Sequence, residues 1–316
     1  MHDLYASVYH GVGIALNDFR NYSELGNPWS FYVFQGARIF RLSPTLSVFY
    51  EWNFGISTGW KYHDKENNLY NTSVSSKNNA YINANFFFVW SISRTLDLSA
   101  GLALSHFSNG NTKQPNSGVN VFSGTVNMTY NIGRIYKEHV KSIRIRELNF
   151  DKHMIYELVL FGSWKRRGIL LYGNETTQLV NSKPFGVGGI TFSPLYSINP
   201  RLRLGGALDI VYDASANVTY SDYNYGKFDY NIPKFSDRLS AGIAAKVDYV
   251  MPIFTISVGL GMEVLRNGED YRRFYQSLTL KTSLTERLFL NLGYRIKDFS
   301  LPSFLMLGVG YRFGQY

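Results

Sequence analysis

Residues 101–122, GLALSHFSNGNTKQPNSGVNVF, place a histidine and a serine two positions apart at the end of an apolar row. In an extended strand, His106 and Ser108 lie on the same side, with their α-carbons roughly 6.6 Å apart at about 3.3 Å per residue. An imidazole can bridge that span and accept the serine proton, which makes a weak nucleophile competent. A third polar group is then needed to hold the second imidazole nitrogen and fix its tautomer.

Asn120 is the residue that the next strand offers for this third role. In the segment 118–133 the more apolar row includes Phe122 and Val126, and the same parity continues to Asn120. An asparagine can orient an imidazole, but it cannot stabilise an imidazolium by charge. Polar residues at the end of a strand, before a turn rich in Asn, Gly and Pro, are also ordinary at a barrel rim, so a purely structural interpretation stays open.

Hydrophobic alternation with period two predicts the elements that position these residues. Near the chain end, Leu305, Leu307 and Val309 form one face, while Met306 and Gly308 belong to a smaller and more polar face. The same pattern recurs in about fourteen segments of roughly 9–14 residues, the length of strands in membrane barrels. A soluble β-sandwich also alternates, but its strands average only about five or six residues. The segments are 3–16, 30–42, 46–60, 79–93, 95–108, 118–133, 153–164, 184–197, 200–213, 237–249, 252–264, 272–284, 286–297 and 303–314.

The connections between these segments alternate between tight turns and long polar loops, as in outer-membrane barrels with short periplasmic turns and long external loops. The long segment 134–153 breaks the alternation, because it falls on the side of the short turns. We therefore predict an all-β protein, a transmembrane antiparallel β-barrel of about 14 strands (12–16) that forms a single domain over residues 1–316. In this arrangement His106 and Ser108 face lipid at the external end of their strand.

Composition agrees with this class of protein. The 316 residues include 24 Tyr, 23 Phe and 28 Gly but only 17% charged residues, which suits a barrel with aromatic girdles and a thin wall. No uninterrupted apolar run approaches the roughly 18–20 residues of a membrane-spanning helix. The net charge of +9 fits an anionic partner, either nucleic acid or anionic lipid, and composition does not choose between them. The absence of cysteine excludes a disulfide framework and a thiolate site.

The string HFSNGNTKQPNSGVN, residues 106–120, resembles the active-site segment of the PagL-type lipid A 3-O-deacylases, which are often labelled acyloxyacyl hydrolases. The resemblance is confined to about residues 100–133 and rests on His-x-Ser-Asn followed by Pro-Asn-x-Gly. It implies an outer-membrane β-barrel enzyme of Gram-negative bacteria. Family barrels are shorter, with about eight strands, and the acidic member of the family triad, a glutamate, aligns with Asn120.

The resemblance also implies a role for each matched residue. Ser108 would be the nucleophile that attacks the ester at the 3-position of lipid A, and His106 its general base. Asn109 and Asn116 would help to build the oxyanion hole. Asn120 would complete the catalytic row in place of the family's glutamate.

Other candidate sites are weaker. Lys165, Arg166 and Arg167, in the external WKRRG, could grip lipid A phosphates through bidentate arginines, and a solvated loop charge is the alternative. The remaining histidines have no metal-ligand spacing, so no metal and no cofactor are predicted. No nucleic-acid recognition motif accompanies the net charge, so no nucleic-acid partner is predicted.

The leading hypothesis is an integral barrel of the bacterial outer membrane that removes an ester-linked acyl chain from lipid A, with lipopolysaccharide and the membrane as its partners. The alternative is a non-catalytic barrel that keeps the motif as a scaffold and serves as a pore or as a subunit of a complex with other outer-membrane proteins. His106, Ser108, Asn109 and Asn116 favour the enzyme. The missing glutamate and the long chain beyond the motif favour the alternative.

Overall fold

A computed structural model describes residues 8–133, 150–166, 168–170, 178–180, 183–224, 227–268, 270, 273–299 and 301–314. The described chain is all-β, and its helical content is the 3₁₀ turn Phe235–Arg238. No helix in these ranges is long and apolar enough to cross a membrane. By its internal contacts the chain divides into two compact units, residues 1–109 with 115–148 and residues 110–114 with 149–316.

The first unit contains a six-stranded antiparallel sheet in which consecutive strands pair in chain order. Its strands are β1 (Val8–Leu16), β2 (Trp29–Arg41), β3 (Leu46–Thr58), β4 (Asn78–Ser91), β5 (Leu96–Ser108) and β6 (Val119–Tyr130).

The second unit contains a closed antiparallel barrel of eight strands in the order β7, β10, β11, β14, β15, β16, β17, β18, in which β18 pairs back to β7. Its strands are β7 (His153–Lys165), β10 (Phe185–Asn199), β11 (Leu202–Asp213), β14 (Leu239–Val250), β15 (Phe254–Leu265), β16 (Phe274–Ser283), β17 (Leu288–Lys297) and β18 (Leu301–Gly314). Two short hairpins, β8 (Gly168–Leu170) with β9 (Gln178–Val180) and β12 (Thr219–Asn224) with β13 (Lys227–Asn231), lie in its loops.

The predicted strands are found, but the way they close differs from the prediction. Each of the fourteen predicted segments overlaps one long strand, and their ends differ by at most three residues where both are described. A single barrel of about fourteen strands is not confirmed, because the hydrogen-bonding pattern closes eight strands on themselves and leaves six in a separate sheet. Pairing of β18 with β7 uses both edges of the final eight strands, so the sheet of the first unit cannot join them.

The structure tests neither of two further expectations about the organisation of the chain. The single-domain organisation of residues 1–316 stays a prediction. Most of the segment 134–153, which interrupts the predicted alternation of turns and loops, lies outside the described residues.

The closed barrel is apolar outside and charged inside. On β17, Leu288, Leu290 and Leu292 are exposed, whereas Asn291 and Arg295 on the other parity are buried. This is the reverse of a water-soluble protein and is the pattern of a barrel surrounded by lipid. The alternation predicted from sequence is confirmed in this unit.

A network of ion pairs fills the barrel interior. Glu157, which is fully buried, accepts a hydrogen bond from the Lys281 ammonium at 2.5 Å and a pair of hydrogen bonds from the Arg312 guanidinium at 3.0 and 3.1 Å. Lys281 also donates to Asp248 at 2.5 Å. Charges removed from water are tolerable only when partners of opposite charge compensate them, so these residues depend on one another.

The interior is packed rather than open. A cavity inside the barrel, lined by residues that include Thr191, Asp209 and Lys246, has a volume of about 20 Å³. That volume holds about one water molecule. Eight strands give an interior that side chains can just fill, and the described lumen follows that rule and does not have the dimensions of a pore.

The interior network generates a prediction about stability. Glu157→Ala should lower the free energy of unfolding of the barrel by about 3–5 kcal/mol, because removal of one member leaves buried cations without compensation. Urea titration of the detergent-folded protein, followed by circular dichroism and by gel migration before and after boiling, measures the change. Glu286→Ala, in an exposed turn, is the matched control and should leave the midpoint unchanged. Equal midpoints for the two variants would contradict the network's role.

Candidate functional site

The candidate site lies where β5 ends and β6 begins. The two strands are antiparallel neighbours, and their register sets His106 directly opposite Asn120 and Leu104 opposite Phe122. Ser108 lies two residues beyond His106 on β5 and therefore on the same face. The register confirms the predicted shared face of the three polar residues.

Two hydrogen bonds join the three side chains into a row. His106 Nδ1 lies 2.6 Å from Asn120 Oδ1, and His106 Nε2 lies 3.0 Å from Ser108 Oγ. An amide oxygen only accepts, so Nδ1 carries the proton and Nε2 is the unprotonated nitrogen that accepts from the serine hydroxyl. This tautomer is the one that allows a histidine to take the proton of an attacking serine.

The row lies on the apolar outer face of the sheet. Leu104 on β5 is 60% exposed and Phe122 on β6 is 67% exposed, and both share the parity of the polar row. His106 and Ser108 are themselves half-buried and Asn120 is exposed. A nucleophile here is reached from the side of the sheet that carries the exposed apolar residues.

Phe107, between the histidine and the serine, points the other way and anchors the strand end. It is 1% exposed, and its ring lies 5.1 Å from the rings of both Trp60 and Tyr81 and 5.7 Å from that of Phe19. These rings form a small core with Val74 at the loop end of the sheet. Because adjacent strand residues point to opposite faces, fixing Phe107 also fixes the direction of its two polar neighbours.

The two residues expected in an oxyanion hole are brought together, and both the backbone and the side-chain donors of Asn109 are already engaged. The backbone N–H of Asn109 donates to Asn116 Oδ1 at 3.2 Å, and the Asn109 side-chain nitrogen donates to Ser75 Oγ at 2.9 Å. Within residues 8–133 the side-chain nitrogen of Asn116 donates to no protein acceptor. The oxyanion role of both residues stays a prediction.

The three cations expected to grip phosphate belong to a different part of the chain. Lys165 and Arg166 are in the unit of the closed barrel, and Arg167 lies outside the described residues. The Lys165 ammonium forms an ion pair of 2.5 Å with Asp213, so its charge is already compensated. Their binding of lipid phosphate stays a prediction.

Gly118 is a site residue that the predicted roles did not include, although it closes the Pro-Asn-x-Gly string. Its φ of +77° belongs to the left-handed region that glycine adopts at little cost. A β-carbon at this position would lie 3.1 Å from His106 Cε1 and 3.1 Å from the Phe107 carbonyl oxygen. The residue therefore lets the chain pass close against the imidazole.

No group of acidic, histidine or cysteine side chains with the geometry of a metal site occurs among the described residues.

Together these features define a class of protein: an all-β chain with a closed barrel that is apolar outside, and a hydrogen-bonded Ser–His–Asn row on an apolar sheet face. Comparison with family models assigns the family. The model described as lipid A 3-O-deacylase (PagL) matches residues 2–129, and the model described as acyloxyacyl hydrolase, C-terminal domain, matches residues 154–315. The chain belongs to this family, and the match extends far beyond the stretch 100–133 that carries the motif.

The two family matches follow the division of the strands. The first ends at 129 and covers the six-stranded sheet, and the second begins at 154 and covers the closed barrel. The chain beyond the motif is therefore part of the family's own architecture.

Comparison with solved structures finds outer-membrane barrels at low similarity. The toluene transporter TodX of Pseudomonas putida is 7% identical, with 97% of this chain and 86% of that chain covered and a TM-score of 0.22. A FadL homologue of Pseudomonas aeruginosa is 12% identical, with coverages of 97% and 86% and a TM-score of 0.22. The ferric enterobactin receptor PfeA of Pseudomonas aeruginosa, as a mutant, is 13% identical, and this chain covers 45% of it at a TM-score of 0.26. Scores this low carry no argument about function. A comparison with curated proteins finds no match.

The aromatic anchor of the site generates a prediction. Phe107→Ala should lower the free energy of unfolding of the sheet by about 3–5 kcal/mol, because it removes a fully buried ring and leaves a cavity. The measurement is urea unfolding in detergent followed by circular dichroism. Phe122→Ala, which removes the same ring from the exposed face of β6, is the control and should change the midpoint far less. If both variants unfold at the same urea concentration, Phe107 is not the anchor.

Proposed function

We propose that the protein is an outer-membrane lipid A deacylase that uses Ser108 as a nucleophile to hydrolyse the ester-linked acyl chain at the 3-position of lipid A. The observation that carries the proposal is the row Asn120, His106, Ser108, joined by bonds of 2.6 and 3.0 Å in a chain of the lipid A 3-O-deacylase family. The membrane location is supported by the family and by the apolar exterior and charged interior of the closed barrel.

The position of the row suits a substrate that is already embedded in lipid. Leu104 and Phe122 flank the polar residues on the outward face, so acyl chains can pack against the sheet beside the nucleophile. A substrate in the outer leaflet then reaches Ser108 by lateral movement in the membrane. An enzyme acting on such a substrate has its nucleophile on the lipid-facing surface instead of in an aqueous cleft.

The geometry fits acyl transfer in two steps. Ser108 Oγ attacks the ester carbonyl carbon while its proton passes to His106 Nε2, and the carbonyl oxygen takes up negative charge. Collapse of this intermediate breaks the bond to the sugar oxygen, which leaves with the proton held by His106. Water, deprotonated by His106, then attacks the acyl-serine, releases the fatty acid and restores the serine.

The amide of Asn120 limits the expected rate of this mechanism. It holds the imidazole in the productive tautomer, but it carries no charge to stabilise the imidazolium formed when Ser108 loses its proton. The site as built is therefore expected to be slow compared with one that has a carboxylate in this position. A non-catalytic role remains the competing outcome of the tests, whereas a pore through the closed barrel is not favoured by its packed interior.

Ser108→Ala should abolish release of the 3-linked acyl chain and leave folding intact, because the side chain lies at a rim, half-buried, and contributes little packing. Mass spectrometry of purified lipid A incubated with the detergent-folded protein measures release. Ser105→Ala, on the opposite face of the same strand, is the matched control and should retain activity. Unchanged lipid A with the wild-type protein would support the non-catalytic alternative.

Replacement of Asn120 by a carboxylate should raise deacylation. In a related triad, exchange of the carboxylate for its amide costs about 10⁴ in turnover, so partial recovery is measurable. Asn120→Asp is isosteric and keeps the 2.6 Å geometry with His106, and Asn120→Glu restores the residue type of the family at the cost of a longer reach. A charge near the membrane interface costs only about 0–1 kcal/mol, so both variants should fold. If both fold and neither is faster than the wild type, the missing charge does not limit the site.

A further inference from the structure

A single turn, residues 72–75, is hydrogen-bonded to the chain on both sides of the catalytic row. On the first side is Asn109, the residue that follows Ser108. Its side-chain nitrogen donates to the hydroxyl of Ser75 at 2.9 Å, and Ser75 is fully buried. The residue next to the nucleophile is thereby tied to the turn.

On the second side is the segment that leads into β6. The backbone N–H of Ser117 donates to the carbonyl of Thr72 at 3.1 Å, and that of Gly118 donates to the carbonyl of Ser73 at 3.0 Å. Gly118 is the residue that passes against the imidazole of His106. A displacement of the turn would therefore move the backbone that contacts the general base.

The shape and position of this turn depend on Asn71, which is 3% exposed and uses its side-chain amide in four hydrogen bonds. Its oxygen accepts from the backbone N–H groups of Ser73 at 3.1 Å and Val74 at 3.0 Å. Its nitrogen donates to the backbone carbonyls of Glu24 at 2.9 Å and Lys61 at 3.1 Å. One amide thus shapes the turn and ties it to two other loops.

We propose that Asn71 is a positioning residue for the catalytic row, acting through the turn 72–75 on Asn109 and Gly118. The inference rests on the proposed function for its effect on turnover. The control of the His106 geometry by Asn71 rests only on the observed contacts. Asn71 does not touch the reacting atoms, so its effect is on the placement of His106 and Ser108 and not on the chemistry itself.

The residue type is decisive because a primary amide offers an acceptor oxygen and, separately, a nitrogen with two donor hydrogens. Asn71→Asp keeps the size and the two acceptor bonds to the turn. It replaces two donated hydrogen bonds by a carboxylate oxygen facing the carbonyls of Glu24 and Lys61, which repels them. The turn should then shift relative to the other two loops.

The first readout is independent of activity. With ¹⁵N-histidine labelling in detergent, the His106 Nδ1–H proton, assigned by its loss in His106→Gln, should give a distinct signal in the wild type because of its short bond to Asn120. Asn71→Asp should shift this signal or remove it by faster exchange with water. Asn231→Asp, the same change at an exposed position in the other unit, should leave it unchanged.

The second readout is acyl release from lipid A. A misplacement of about 1 Å can cost about 100-fold in turnover, so Asn71→Asp should lower kcat by about that factor with KM little changed. Asn231→Asp should match the wild type in both constants. Gel migration before and after boiling verifies that each variant is folded, and Asn71→Ser, which keeps one hydroxyl as an acceptor for the turn, replaces Asn71→Asp if the latter does not fold.

The outcomes separate the two proposals. A wild-type His106 signal and wild-type kcat in the folded Asn71 variant, even with reduced stability, would overturn the positioning role and leave the proposed function intact. A changed signal in a protein that releases no acyl chain in any form would support the positioning role and overturn the proposed function. A changed signal together with the selective fall in kcat supports both.

Discussion

Successive side chains of a strand point to opposite faces, and this period of two governs the barrel, the sheet and the candidate site together. In the closed barrel it separates Leu290 on the outside from Asn291 on the inside. At the end of β5 it separates Phe107, in an aromatic core, from His106 and Ser108 on the outer face. A shift of one residue in the register of β5 would put Ser108 in the core and Phe107 on the surface.

The reversed polarity of the barrel follows from the environments of its two surfaces. A lipid-facing wall must be apolar, so the polar side chains of the alternation have to be accommodated inside, where little water is left. Glu157, Lys281, Asp248 and Arg312 solve this by compensating one another over bonds of 2.5 to 3.1 Å. Such a network links strands across the barrel interior, because each carboxylate comes from a different strand than the cations that it meets.

The candidate site lies at the end of the sheet, where β5 ends and β6 begins. There the exposed apolar face of the sheet meets polar loops, so a histidine and a serine can be partly exposed while the backbone beside them is held by hydrogen bonds from other loops. Phe107 fixes the strand from the inside, and the turn 72–75 fixes the segments that flank it. Asn120 orients the imidazole of His106 but lacks the negative charge of a carboxylate. The placement of the side chains and the rate of a reaction are therefore separate properties of this row.

The sequence by itself determined the strand positions, the face of each side chain and the membership of Ser108, His106 and Asn120 in one row. These follow from a period that is local to each strand and from a motif of fifteen residues, 106–120. Only the tertiary structure decided that β18 closes onto β7, and that Asn71 and Ser75 support the site. The closure of the barrel has no local signal because alternating strands present equivalent edges to any partner. The role of Asn71 has none because its buried amide contacts Glu24 and Lys61, in loops that are distant in the chain. Both depend on hydrogen bonds that exist only once the strands are paired.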